Sequence, residues 1–529
     1  MSPSLIVIQL LSGLAHAMVL FLIASGLSLI FGVTRIVNFA HGSFYMLAAY
    51  LTYTLTATLP LGAAAFYVAV LLAALAVGLA GLGVEVVLLR RVYRAPELYQ
   101  LLLTFALVLV VADTVKLVWG SENLTGPAAP GLTGSVAVVG QLFPTYDLGL
   151  IALGPLVAAA LWWLFYRTRW GILIRAATQD REMVAALGVD QARLFTSVFA
   201  LGSFLAGLGG ALQVPRQALT NVMDASIITE AFVVVVVGGM GSVPGALLAA
   251  VVIGVIDAFG VLVLPRASLV MTFVVMAVVL IVRPWGLLGR PEAHPRTAGG
   301  AIVTARALRM PRPWVAAVVV LLIAAPPILP TFHVWVLVEI LAFAQIAFAI
   351  VHQWYDVTGG DNGLLGIWPA AWLAGPLAYY YLALTACGGG IALLARIGRA
   401  PFGLTLRAAR DHARRAETVG INIRLHQWTA FVVAGFFGGV AGGTFAFLKG
   451  SVFPNLLAVP MSVEPLVMVL LGGVQAPAGA PVGAAIYKLL DTVATRYTEY
   501  WQLVLGAILI LLVLAFPRGI LGVVGDRRA

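Results

Sequence analysis

In this chain chemistry is to be sought where polar or ionisable side chains interrupt long apolar runs, because such groups are costly in lipid unless they face a partner or water. The segment Asn38-Phe39-Ala40-His41-Gly42-Ser43-Phe44-Tyr45-Met46 opens one such run. Asn38, His41 and Ser43 are candidates to line a pathway for a polar solute. The blander reading, of equal weight on physics alone, is an Asn that caps a helix and a satisfied buried His. Ala40, Gly42 and Ser43 are small enough for close helix packing. A second cluster, Asp356-Val357-Thr358-Gly359-Gly360-Asp361-Asn362-Gly363, makes Thr358, Asp361 and Asn362 candidates. Its paired glycines suit a backbone nest, with a tight turn as the simpler alternative.

Glu85, Asp113, Lys116, Asp257, Glu339 and Glu464 also lie in or at the ends of apolar runs. Asp113 and Lys116, three apart on one helix face, are expected to neutralise each other. None of the six is expected to act as a proton relay. The three lysines, Lys116, Lys449 and Lys488, do not follow a glycine, so no phosphate-cradling Gly-x-x-x-x-Gly-Lys-Ser/Thr exists. His-Glu-x-x-His and Gly-x-Ser-x-Gly are also absent, and enzymatic chemistry has no support. The single cysteine, Cys387, rules out an intrachain disulfide and a cysteine-rich metal site.

The elements that must position these residues are membrane helices. Of 529 residues 62% are hydrophobic and 10% charged, too little polar surface for a soluble domain. Runs of about twenty apolar residues, enough to cross a ~30 Å hydrocarbon layer, recur near 5–31, 62–89, 97–118, 148–165, 193–212, 242–263, 267–282, 426–448 and 499–516. Met1–Phe31 lacks the basic start and the cleavage site of a signal peptide and is expected to be a retained helix. The net charge of +10 is explained by arginines in loops facing the cytoplasm rather than by nucleic-acid binding. Arg90, Arg91 and Arg94 mark one such loop. Arg167 to Arg193 and Arg396 to Arg424 mark two more, while 120–150, free of Lys and Arg, is expected outside. The first part thus spans eight or nine times, the ninth depending on the short valine run of 231–239.

Three parts follow: a first unit over 1–290, a basic cytoplasmic linker over 291–312 rich in Pro and Gly, and a second unit over 313–529. The two units repeat one another. Trp170-Gly171-Ile172-Leu173-Ile174-Arg175-Ala176-Ala177 recurs as Phe402-Gly403-Leu404-Thr405-Leu406-Arg407-Ala408-Ala409, and Gly188-Val189-Asp190 as Gly420-Ile421-Asn422. The match continues through Gly207/Gly439, Gly210/Gly442, Gly238-Gly239/Gly472-Gly473 and Arg283–Gly289/Phe516–Gly522. The expected architecture is an all-α polytopic membrane protein of two homologous helical bundles in parallel repeat, related by a pseudo-two-fold along the membrane normal. The repeated basic segments read as short amphipathic cytoplasmic helices. They either fix topology only or, as favoured here, dock into a motor subunit. Arg175, Asp180, Glu182 and Gly188, with Arg407, Arg410, Glu417 and Gly420, are the coupling candidates.

On these residues the first unit resembles the H-type permease of branched-chain amino-acid ABC importers. The resemblance rests on Val37–Gly42, Arg175–Gly188, Gly238–Gly245 and Arg283–Gly289. The second resembles the M-type partner through Thr358–Leu364, Arg407–Asn422, Gly472-Gly473 and Pro517–Gly522. The resemblance implies two cytoplasmic ABC ATPase subunits carrying ATP, no cofactor on this chain, and a periplasmic or lipid-anchored solute-binding protein. It also implies a place in the bacterial cytoplasmic (inner) membrane and uptake of branched-chain amino acids or related small polar solutes. The second unit departs from the M-type pattern: the counterpart of Asn38–Tyr50 is missing, and about three helices with it. If every apolar segment crossed, Arg396–Arg424 would lie outside, so Pro313–Leu329, interrupted by Pro326-Pro327, is expected not to cross. The competing readings are a secondary transporter or channel built on the same repeat, and a shortened, non-transporting remnant. An ion-driven transporter should carry paired intramembrane carboxylates at equivalent places in both units. Glu230 and Glu464 come nearest, two positions off the main register.

Overall fold

The computed structural model describes residues 3–521 except 94, 96, 180, 264–267, 284, 290–343, 345, 374, 475, 477, 517 and 518. The linker and Pro313–Leu329 therefore lie outside the described residues, as does Glu339. Among the described residues eight helices are long and apolar enough to cross a membrane, and three shorter apolar helices accompany them. The chain is an all-α polytopic membrane protein; its strands are confined to two small antiparallel pairs, β1 (Ser135–Val138) with β2 (Gln141–Pro144) and β3 (Leu364–Leu365) with β4 (Ser451–Val452).

Two compact units form, and they cut the chain differently from the repeat. One holds Met1–Pro291 together with Val459–Ala529; the other is Glu292–Ala458. In the first, α1 (Pro3–Thr34), α2 (Ala40–Thr58), α3 (Ala65–Val84), α4 (Glu97–Trp119) and α5 (Thr145–Arg167) precede the basic segment α6 (Arg169–Gln179) and α7 (Arg181–Ala186). Then come α8 (Gln191–Gln213), α9 (Met223–Gly238), α10 (Val243–Val263) and α11 (Ser268–Val282). α2 falls short of a membrane span by composition because it faces protein instead of lipid: α8, α3, α9 and α4 all pack on it. Its threonines 52, 54, 56 and 58 each donate to the carbonyl four residues back, which satisfies their hydroxyls within the helix.

Small residues let these helices approach. A methyl group on Gly210 would collide with the Tyr45 carbonyl of α2, one on Gly26 with the Gly202 carbonyl, and one on Gly154 with Met18. The valine run of 231–239 belongs to α9, a 16-residue helix that ends at Gly239, whose φ of +100° turns the chain into α10.

The second compact unit contains α12 (Pro376–Arg399), α13 (Pro401–Asp411), α14 (Ala413–Thr418) and α15 (Ile423–Lys449). The remaining helices, α16 (Val459–Gly472), α17 (Gly479–Tyr497) and α18 (Trp501–Ala515), join the first unit. There α18 lies along α4, with Leu505 and Leu509 fully buried and Gly506 against the Ala106 carbonyl. Asp113 and Lys116 do not neutralise each other. Asp113 Oδ2 instead accepts from the Leu503 amide at 2.9 Å, capping the first turn of α18, and Lys116 Nζ donates to the Glu499 carbonyl at 3.3 Å. Spacing along the chain misleads at this pair because both side chains find better partners on a segment remote in sequence.

Candidate functional site

Asn38, His41 and Ser43 are all fully buried where α2 starts. Asn38 Oδ1 accepts from the Ala40 amide at 3.1 Å, the capping that the bland reading expects. His41 Nε2 lies 3.0 Å from the Ile23 carbonyl of α1, which can only accept, so the proton sits on Nε2. Ser43 donates to Asp224 Oδ2 at 3.1 Å, and Asp224 Oδ1 accepts from the Ala225 amide at 2.8 Å as α9 begins. The cluster therefore ties α2 to α1 on one side and to α9 on the other. Gly42 makes this possible, since a methyl group there would strike the Asp224 carbonyl. Two buried atoms, Asn38 Nδ2 and His41 Nδ1, find no partner among the described residues. Each such atom costs about 1–3 kcal/mol in a packed interior.

Thr358 and Asn362 lie in the other compact unit, in a turn that begins with a short helix at Tyr355–Thr358 and continues through Gly360–Asn362. Thr358 Oγ1 donates to the Trp354 carbonyl at 2.9 Å and also contacts the Val351 carbonyl, while Asn362 Nδ2 donates to Tyr355 Oη at 2.8 Å. Gly359, Gly360 and Gly363 all have positive φ, and Gly363 abuts the Val452 carbonyl of β4. The tight-turn reading accounts for these bonds; Asp361 shares the turn's backbone. The two sets of pathway candidates thus belong to different compact units.

The coupling candidates occupy two short helix pairs of the same local geometry. Gly188 and Gly420 take φ of +81° and +89° and donate to the carbonyls three residues back, Ala185 and Glu417, at 2.9 Å each. Asp190 and Asn422 then cap the next helix, accepting from the amides of Arg193 and Leu425 at 3.2 and 3.1 Å. Arg175 stacks its guanidinium over Tyr166 at 4.7 Å, Arg407 donates to the Gly398 carbonyl, and Arg410 pairs with Asp411 at 2.9 Å. Glu182 lies on α7, and Asp180 falls outside the described residues. The same likeness extends to the last corner. Gly239 and Gly473 take φ of +100° and +109°, and each meets a glycine at +78°, Gly286 and Gly519 respectively.

Sequence reasoning missed one network. Glu85, fully buried in a π-helical turn at Glu85–Leu89, accepts from Tyr93 Oη at 2.9 Å, Thr196 Oγ1 at 2.6 Å and Arg90 at 3.1 Å. It joins α3 to α8 close to the helix pair α6–α7. Arg90 at five residues from Glu85 was a usable signal, but a π turn is needed for that spacing to bring them together.

The family described as branched-chain amino acid transport system / permease component matches residues 9–282 and 314–513. The permease protein BraD of Pseudomonas aeruginosa is 28% identical over 296 residues, covering 54% of this chain and 96% of that protein. The permease protein LivH of Escherichia coli K12 is 28% identical over 303 residues, with the same coverage. LivM of the same strain is 28% identical over 142 residues, 27% of this chain and 33% of LivM. All three are named as high-affinity branched-chain amino acid transport system permease proteins. No solved structure matches. With the family match extending over 9–282 and 314–513, and with relatives of both the LivH and the LivM kind, the chain belongs to the branched-chain amino acid transport permease family.

Proposed function

We propose that this permease is the membrane part of an ATP-driven importer for branched-chain amino acids or related small polar solutes in the bacterial cytoplasmic membrane. A periplasmic or lipid-anchored binding protein delivers the solute, and two separate cytoplasmic ABC ATPase subunits, which hold the ATP, dock on α6–α7 and α13–α14. The observation that carries this reading is the recurrence of the helix pair, its left-handed glycine and its Asx cap. Each pair leads directly into a long helix, α8 or α15, so a push on the pair is delivered along that helix's axis. Arg175, Asp180, Glu182, Gly188, Arg407, Arg410, Glu417 and Gly420 are the residues assigned to docking.

Asn38, His41 and Ser43 are assigned to the pathway wall of the first repeat and Thr358, Asp361 and Asn362 to that of the second. The first set is packed shut, so passage requires α1, α2 and α9 to separate. The two unpartnered atoms Asn38 Nδ2 and His41 Nδ1 would then meet water or solute, which favours the opening. Tagged full-length chain, purified from its native host and reconstituted, tests the reading. Co-purification of an ATPase and uptake of a branched-chain amino acid that stops without ATP are expected. Uptake that ignores ATP would favour a secondary transporter or channel, and absence of both would favour a non-transporting remnant.

A further inference from the structure

Three ionisable side chains meet between α1, α9 and α10: His16 Nε2 lies 3.4 Å from Glu230 Oε2, and Asp257 interacts electrostatically with both. Glu230 stands halfway along α9, far from either helix end. A similar group lies between α16 and α17, where Lys488 Nζ is 3.7 Å from Glu464 Oε2 and 3.3 Å from Asp491 Oδ2. The two groups occupy equivalent places, as the carboxylates of an ion-driven carrier would, but in each a basic side chain of the same chain already lies beside them. An offset of 234 positions separates Gly239 from Gly473 and Gly245 from Gly479, and the same offset separates Glu230 from Glu464 and Asp257 from Asp491. The glycines up to Gly210/Gly442 match at an offset of 232, so the two-position mismatch of Glu230 with Glu464 reflects two extra residues between Gly442 and Glu464.

The basic side chains of the two groups come from different places. In the first repeat α1 lies against α10 so closely that a methyl group on Gly254 would sit 2.6 Å from the Gly13 carbonyl and 2.8 Å from Ala17 Cβ. One turn from that crossing, α1 presents His16. The position 234 beyond Gly254 is Lys488. A lysine there excludes a helix at the distance α1 keeps, and it brings its own ammonium to the two carboxylates. Close packing by α1 and the imidazole it brings are thus exchanged together for a lysine on the helix itself.

We infer that Lys488, Glu464 and Asp491 are the second repeat's counterpart of the His16, Glu230 and Asp257 group, with the Lys488 ammonium taking the place of the imidazole that α1 supplies in the first. The cluster positions α16 against α17 just as its counterpart positions α9 against α10, ahead of the paired glycine corners at 239 and 473. Glu464 and Asp491 are largely buried while Lys488 is more than half exposed, so removing the lysine leaves two neighbouring carboxylates with no basic partner, which is disfavoured.

The test is the yield of monodisperse full-length chain extracted from membranes, a readout that does not depend on what the permease carries. Lys488→Met is expected to lower the yield roughly tenfold. Lys488→Arg retains it, and the triple change Lys488→Met, Glu464→Gln, Asp491→Asn recovers it to within about twofold, because no unpaired charge is left in the cluster. In the first repeat, His16→Leu should likewise be rescued by Glu230→Gln with Asp257→Asn. Wild-type yield for Lys488→Met, a triple variant as poor as the single, or an Arg variant as poor as Met would each overturn the inference.

Discussion

Asp113 shows how a residue's role depends on which neighbours the fold supplies. Its spacing from Lys116 is right for an ion pair, yet its carboxylate reaches the Leu503 amide and Lys116 reaches the Glu499 carbonyl and the Tyr500 ring, 5.7 Å away. Asp113 is buried beside the start of α18, where an amide without an acceptor is costly, so the cap wins. Asp113→Ala is expected to cost about 1 kcal/mol, and Asp113→Asn almost nothing, since Asn caps as well as Asp. Thermal unfolding in detergent checks this: a loss with Asn equal to that with Ala would restore the ion-pair reading. Asn38 was more legible. Its cap of Ala40 is local, and a short side chain two residues before a helix has few other partners. His41 was legible only as a buried polar group, because its partner Ile23 belongs to another helix.

At the scale of elements, α8 and α15 share a glycine stripe but not its use. Gly202 and Gly209 seat α1, Gly207 seats α3, and Gly210 seats α2. On α15 a methyl group at the corresponding Gly439 or Gly442 would meet nothing within 4 Å among the described residues, nor would one at Gly435, Gly438 or Gly443. The described neighbours of α15 therefore leave this stripe open, unlike those of α8. Gly210→Ala should destabilise the protein by about 1–3 kcal/mol through overpacking against the Tyr45 backbone. Gly442→Ala should be neutral or stabilising by up to about 1 kcal/mol, since Ala is the better helix former. Equal losses at the two sites, measured by thermal unfolding of each variant, would show that the α15 stripe is filled.

At the scale of the whole molecule, packing joins segments far apart in the chain. Residues 459–529 complete the compact unit that holds residues 1–291, through α18 on α4 and the Tyr99 hydroxyl on the Leu470 carbonyl at 3.4 Å. Residues 1–290 expressed alone would uncover the α4 face that buries Leu102, Leu103 and Ala106. They are expected to unfold at a lower temperature than the full chain and to regain stability when 313–529 is supplied as a second polypeptide. Identical melting of fragment and full chain would contradict this.

What the sequence determined by itself was membrane location, helical class and the family, because each is written in local runs of apolar residues or in motifs of adjacent residues. That the matched glycines take positive φ was decided by the fold, since glycine permits that conformation without requiring it. Which helix lies beside which was decided only by tertiary structure. So were the cap across α4 and α18, the Glu85 network, which needs a π turn, and the two charge clusters, whose members come from different helices. Their partners are chosen by close helix contact, and no run of neighbouring residues records that choice.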